Sequence, residues 1–191
     1  MTITSSLSGR RQRPLPRSPF SIPFRVWSDR ILLSVHIICV GKLKEPFYIQ
    51  AAAEYCKRLS AYCKLELTEL PEERLPDRPS PAQIAAALAK ERDAILGKIP
   101  PGARLVALCV EGKLRSSEEI AALLTDFLGS GVRHLVFLIG GSHGLDESLK
   151  EKAWLRLSMS PMTFPHHLAR VMLLEQLYRG FKITEGSPYH K

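Results

Sequence analysis

Three short stretches of this chain, each at the end of an apolar run that reads as a β-strand, hold the residues best placed to meet a ligand. They are residues 108–113, opening on Leu108; Gly140-Gly141-Ser142-His143-Gly144; and Ser158-Met159-Ser160-Pro161-Met162-Thr163. In open α/β sheets ligands bind beyond the carboxyl ends of the strands. Glycine there lets the main chain approach a ligand closely and adopt positive φ. The residue types exclude several chemistries. No Gly-Lys-Ser/Thr follows the glycines, so they are not a P-loop, and they do not make the GxGxxG dinucleotide fingerprint. No Ser-His-Asp or Cys-His set is spaced for nucleophilic catalysis. His166 and His167 lack the spacing of a metal site and fit equally well as first-turn helix residues. What remains is a site of main-chain amides and small or apolar walls. On its own, the glycine stretch reads more readily as a plain turn after a strand.

The third stretch leads through Pro165, a residue suited to the first helical position, into a helix over residues 168–183. This helix is apolar almost all round, which predicts burial rather than a surface position. Arg170 shares one face with Leu174, Leu177 and Phe181, at helical spacing. A lone arginine in an apolar stripe needs a partner, because an unpaired buried charge costs several kcal/mol or more. It either snorkels to an edge, pairs with a carboxylate at a subunit interface, or points at an anionic ligand such as RNA phosphate. Glu175 and Arg179 form an ordinary i,i+4 pair on another face. The chain closes on Gly186-Ser187-Pro188-Tyr189-His190-Lys191.

The elements that must position these residues alternate along the chain. Residues 35–40 read as a buried strand ending at Gly41, and 47–62 as a helix. Residues 65–70 alternate, as in a half-buried or edge strand. Residues 71–81, with four prolines, read as a solvated loop, and 82–96 as an alanine-rich helix ended by Gly97. A strand over 105–110 and a loop at Glu111-Gly112-Lys113 follow. Ser117 caps a helix to Leu128, with a capping box offered by Ser116 to Glu119. A strand over 134–139, a short helix near 146–152 and a last strand near 154–159 complete the set. Strands alternating with helices predict a parallel or mixed α/β sheet.

A chain of 191 residues with 45% hydrophobic and 24% charged residues is an ordinary globular domain with a sizeable core. No apolar run approaches the roughly 20 residues that span a bilayer. Cys39, Cys56, Cys63 and Cys109 show no CxxC spacing, which suggests neither zinc nor a disulfide framework and suits a reducing, cytoplasmic setting. The net charge of +8 sits at the two ends: residues 1–34 hold six Arg and one Asp, and residues 152–191 hold six Lys or Arg and two Glu. Basic ends suit an anionic partner such as RNA, or are merely solvated. Residues 1–33, rich in Arg, Ser and Pro, read as an extension outside a domain over 34–191. The extension resembles an organellar transit peptide, or reflects a start placed too far upstream.

Taken in order, these pieces resemble a known family. The matching residues are Val35, Gly41 and Lys44; Leu138-Ile139-Gly140-Gly141-Ser142-x-Gly144-Leu145; Leu157-Ser158; Met162-Thr163-Phe164-Pro165-His166; Arg170-Val171; Glu175-Gln176-x-Tyr178-Arg179; and the closing Tyr189-His190-Lys191. The pattern is similar to the ribosomal large-subunit methyltransferase H family (RlmH) of the SPOUT class, over about residues 34–191. Each piece is weak alone, and the ordered set is specific. The chain departs from the family pattern at Cys109, where an acidic residue is usual, and at His143, where Glu or Asn is common.

The resemblance implies a SPOUT-type α/β knot: a mostly parallel sheet flanked by helices, with a deep C-terminal trefoil knot. It implies a homodimer, no membrane and no metal, and S-adenosylmethionine as cofactor. Leu108, Gly140, Ser158, Met159, Ser160, Pro161, Met162 and Thr163 would hold that cofactor. The implied substrate is N3 of a pseudouridine in 23S rRNA within the ribosome. His190 and Tyr189 are then candidates to take the N3 proton, with His143 a further one, and Arg170 and Arg179 would hold substrate phosphates. A different class of reading is a non-catalytic RNA- or ribosome-binding protein that keeps the fold.

Overall fold

The computed structural model describes residues 33–189. The expectations for residues 1–32, for His190 and for Lys191 lie outside the described residues. Strand and helix alternate: β1 (Ser34–Val40), α1 (Pro46–Leu59), β2 (Lys64–Leu70), α2 (Pro81–Leu96), β3 (Arg104–Leu114), α3 (Ser117–Gly129), β4 (His134–Ile139), α4 (Glu147–Lys152), β5 (Leu155–Ser158) and α5 (His166–Thr184). The strands form one parallel five-stranded sheet in the order β2-β1-β4-β3-β5. Among the described residues no helix is long and apolar enough to cross a membrane.

The period-2 alternation of the strands divides the core in two. Val35, Ile37 and Cys39 of β1 and Leu135, Phe137 and Ile139 of β4 face one side, and there they meet Leu59, Leu124 and the α5 residues Leu173, Leu174, Leu177 and Phe181. Ile38, Val40, Val136 and Leu138 face the other side and meet Ile95 of α2 and Leu149 of α4. Central strands covered on both faces need near-continuous apolar sequence, which is why β1 and β4 carry it. Strand β2 alternates because it stands at the sheet edge. Helix α5 packs against both α1 and α3, and none of its residues is exposed. Each fully buried Leu or Phe on it contributes about 1.5–3 kcal/mol.

Three local expectations change. Strand β3 runs on to Leu114 instead of ending in a loop at Glu111-Gly112-Lys113. Its register against β5 jumps, so that Leu108 and Lys113 both pair with Leu157. Gly112 permits this return, since a Cβ there would lie 2.7 Å from the Leu157 carbonyl carbon. Ser116, not Ser117, is the N-cap of α3, and the capping box with Glu119 is present as expected. Pro165 stands one position earlier than expected, as the N-cap of α5, with extended ψ of 139°.

Arg170 is fully buried, and its guanidinium is held within the chain. Nη1 donates to Glu69 Oε1 at the end of β2, and Nη2 donates to the Gly41 carbonyl at 2.7 Å. The same Glu69 oxygen accepts from the Leu43 N–H at 3.0 Å. The arginine therefore does not snorkel, does not wait for a carboxylate from another subunit, and has no surface to offer a phosphate. Where a catalytic or substrate-holding role was expected of Arg170, the contacts it makes are structural: it fastens α5 to the carboxyl ends of β1 and β2. Cys39, beneath it, has its thiol pushed up to about 12 by burial. Breaking a buried pair from one side leaves an uncompensated charge, typically at a cost of about 3–5 kcal/mol. Glu69 retains 30% side-chain exposure, so water can partly replace it. Glu69→Ala is expected to lower unfolding free energy by about 3 kcal/mol in urea titration. A loss under about 1 kcal/mol would show that the clasp is not what holds α5.

Candidate functional site

A cavity of about 770 Å³ opens at the carboxyl ends of β3, β4 and β5. Leu108, Gly140, Ser158, Met159, Ser160, Met162 and Thr163 line it together. Three turns separated by up to fifty residues thus meet in one hollow. Pro161 is the exception among the cofactor-site candidates: it is exposed and forms no part of the lining.

The β4 wall is a main-chain construction. Gly141 and Gly144 form an antiparallel bridge, with the Gly144 N–H donating to the Gly141 carbonyl at 3.1 Å. The chain doubles back so closely that a Cβ on Gly140 would lie 2.1 Å from the Gly144 oxygen. Any side chain at Gly140 must open the turn. The fixed geometry explains why this stretch carries glycine where a loop needs no such restriction. Glu72 reaches across from the loop after β2 and accepts from the Ser142 N–H at 2.6 Å. Burial opposes charge on Glu72, but the Ser142 hydrogen bonds outweigh it and hold the carboxyl below the usual range. That loop, read from sequence as merely solvated, is therefore a brace for the glycine turn. Nothing in its spacing announces this.

The β5 wall folds on itself. Ser158 Oγ donates to the Ser160 carbonyl at 3.0 Å, and Ser160 Oγ accepts from the Met162 N–H at 3.0 Å. The serines thus satisfy local main-chain groups and leave the apolar Leu157 and Met159 to the cavity. On the β3 side the register jump carries Cys109, Val110 and Glu111 to the rim. There Lys150 Nζ stands 2.6 Å from both Glu111 and Glu147, and Arg156 stands 3.0 Å from Glu147. Burial works against charge on Lys150, but its bonds to Glu111 and Glu147 prevail and raise its pKa. Glu147 and Lys150 are i,i+3 on α4, a legible pair. Glu111 joins them only through the β3 excursion, which sequence reading missed.

The titratable groups of the cavity divide by availability. Burial raises the Cys109 thiol, so it is protonated and poorly nucleophilic at neutral pH. Glu111 and Lys150 occupy each other. His143 lines the cavity and is exposed. His166, in the first turn of α5, also lines it. Tyr189 and Arg179 lie elsewhere and with each other. The Tyr189 ring meets Tyr178 at 5.1 Å, and the Arg179 guanidinium lies 5.0 Å from the Tyr189 centroid while paired with Glu175. Neither lines the cavity, and nor does Arg170.

The turn makes a stability prediction. Gly140→Ala forces the Gly140–Gly144 closure apart, and overpacking of this kind costs about 1–3 kcal/mol. A thermal midpoint unchanged by the substitution would mean that the closure is not rigid. Glu72 adds a pH dependence. A carboxyl with a depressed folded-state pKa stabilises above its unfolded pKa, and the contribution fades as pH falls through the folded value. Glu72→Gln should therefore cost stability at neutral pH and make the loss on acidification shallower below the ordinary carboxylate range. Parallel wild-type and variant curves across that range would remove Glu72 from the brace.

Comparison with known proteins now bears on this site. A family profile described as "Predicted SPOUT methyltransferase" matches residues 33–190. A protein of Pelotomaculum thermopropionicum named ribosomal RNA large subunit methyltransferase H is 47% identical over 159 residues, covering 83% of this chain and 99% of that protein. Proteins of the same name from Listeria monocytogenes serotype 4b and Bacillus pumilus are each 45% identical over 159 residues, covering 83% of this chain and 100% of theirs. With a match of this length behind the parallel sheet and its convergent loops, the chain belongs to the SPOUT methyltransferase family, in its ribosomal RNA large subunit methyltransferase H branch.

Proposed function

We propose that this protein transfers a methyl group from S-adenosylmethionine to large-subunit ribosomal RNA, at N3 of a pseudouridine, acting on assembled ribosomes in the cytoplasm as a homodimer. The observation that carries the reading is the convergence of the three loops on one cavity. The names of the relatives support the RNA substrate. The deep trefoil threading of the C-terminal segment belongs to the same reading.

The cavity walls fit the cofactor. Its volume exceeds what a nucleoside with an amino-acid tail requires, and pockets of about 300–1,000 Å³ are usual for such ligands. The closed Gly140–Gly144 turn presents main chain to the cavity, against which a flat ring can lie. Leu108, Leu157 and Met159 supply apolar walls, with the Ser158–Thr163 stretch as the third side. S-adenosylmethionine supplies, when bound, a methyl group on a positively charged sulfur. The protein's task is then alignment, exclusion of water and removal of one proton. Alignment alone is worth up to about 7–11 kcal/mol in well-oriented systems, so a missing nucleophile is no objection. The folded Ser158–Met162 turn and the braced glycine turn hold that alignment without mobile side chains. Tyr189, Tyr178 and Arg179 form an aromatic and cationic cluster away from the cavity. Such a cluster suits the RNA, and in a homodimer the tail of one copy can serve the cavity of the other.

Calorimetry with S-adenosylmethionine is expected to show binding at micromolar to low millimolar ligand, and ribosomes lacking the modification should gain one methyl per large subunit at N3. Failure to bind at millimolar ligand would leave a non-catalytic RNA- or ribosome-binding protein. Removing residues 189–191 is expected to lower turnover much more than cofactor affinity. Equal losses in both would contradict a tail that serves the substrate.

A further inference from the structure

The N3 nitrogen of the proposed substrate carries a proton that must leave as the methyl arrives; of the described residues considered for it from sequence, His143 lines the cavity and Tyr189 does not. Tyr189 lies with Arg179, and His190 is outside the described residues. We infer that His166, at the entry to α5, is the proton acceptor. This rests on the methyl-transfer reading above.

His166 lines the cavity. Its ring is wedged against the turn after β1: Nε2 lies 2.7 Å from where a Cβ on Gly41 would be, and Gly41 has φ of 88°. Nε2 is buried and has no hydrogen-bond partner. A buried polar nitrogen without a partner is uncommon in a native fold and calls for an explanation. With Nε2 packed on Gly41, Nδ1 is the ring nitrogen left to take the proton. Both neighbours that fix the ring are themselves fixed. The Gly41 carbonyl is held by Arg170, one turn along the same helix, and Pro165 sets the start of that helix.

The charged groups around the ring suit a base that must cycle. His167 and Arg170 of α5 disfavour the imidazolium; Glu72 from the loop after β2 and Glu45 at the start of α1 favour it. Burial is the largest influence and, with His167, keeps the ring neutral at rest, with a lone pair available at pH 7. Glu45 also holds a buried, unpartnered carboxylate oxygen. When the ring takes a proton, two carboxylates are nearby to stabilise it. In the step, the N3–H bond breaks and its proton passes to His166 Nδ1, directly or through one water. The N3 electron pair forms the new N–CH3 bond, and the S–CH3 pair stays on sulfur. Atoms and charge balance: a cationic sulfonium is lost and an imidazolium is gained, which then releases its proton to solvent.

The test compares wild type, His166→Gln and His166→Ala in single-turnover methyl transfer to ribosomes lacking the modification, from about pH 5.5 to 8. A positioned general base contributes at least about 100-fold. The wild-type rate should rise with pH through the imidazole range and level off. His166→Gln should lose about 100-fold and the pH limb, with cofactor affinity by calorimetry changed by less than about 3-fold, and added imidazole should partly restore His166→Ala. An NMR titration of the His166 ring gives a readout independent of turnover: it should titrate below an ordinary histidine in the wild type, and lower still in Glu45→Gln. If the wild type transfers methyl and His166→Gln keeps both its rate and its pH limb, the assignment is overturned. A purely structural His166 would lower stability and rate together, without abolishing the limb and without imidazole rescue, and that result also overturns it. If the wild type transfers no methyl, the methyl-transfer reading itself falls. If neither His166 variant folds, an NMR titration unmoved by Glu45→Gln counts against the base.

Discussion

The fold depends on one buried cation being answered from within the chain. A guanidinium with no exposed surface is tolerable only where hydrogen-bonded acceptors replace its water. Arg170 finds a carboxylate on β2 and a carbonyl just after β1. These acceptors come from adjacent strands of the parallel ladder, where Cys39 and Glu69 stand in register. The requirement is therefore geometric as well as electrostatic. Helix α5 can satisfy Arg170 only when its first turns sit over the carboxyl ends of β1 and β2. That places Pro165, His166 and Ala169 at the cavity. The clasp costs desolvation and gains a fixed rotation and height for the helix, so its value is in placement rather than in net stability.

A second constraint follows from building a site on turns. Main-chain walls have few degrees of freedom once closed, yet turns left alone are the mobile part of an α/β fold. Each wall here has a polar brace. Glu72 holds the glycine turn through the Ser142 N–H, the two serines of the β5 turn satisfy their own neighbours, and Lys150 ties the β3 excursion to α4 through Glu111. The braces are polar and stand at the rim or behind the wall, and Leu108, Leu157 and Met159 provide apolar surface inside. Such a division suits a ligand that is held by shape and main-chain donors.

Much of this was legible in the sequence because period and position carry it. The buried faces of β1 and β4 follow from their apolar runs, and the burial of α5 from its lack of a polar face. The meeting of Leu108, Gly140 and Ser158 follows from the rule that parallel strands present their carboxyl ends together. What was not legible depended on long-range pairing. Arg170 advertised a need for a partner, but Glu69 lies 101 residues away in the chain, and no local spacing selects it over another carboxylate. Glu72 and Glu111 were hidden for the same reason, one inside a proline-rich loop and the other inside a strand irregularity that Gly112 alone hints at. Pro161 was taken along with its neighbours because a contiguous stretch does not reveal which residue turns outward.

The separation of the tail cluster from the cavity is informative in the same way. Tyr189 meets Tyr178 edge to face and faces Arg179, and Arg179 is engaged by Glu175 on its own helix. This cluster sits on the α1 side of α5, since Tyr178 also meets Tyr55 and Tyr62. The cavity lies at the N-terminal end of the same helix. Helix α5 has nineteen residues, so at about 1.5 Å per residue its ends stand nearly 30 Å apart. Within one copy, the described part of the tail folds back only as far as Tyr178 and Glu175, and Tyr189 does not line the hollow. In the homodimer proposed above, the tail of a second copy would meet a substrate seated in the hollow; in a single copy the substrate would have to span part of α5 to touch both. The separation of the tail cluster and the hollow along one helix is thus an argument for testing that proposal.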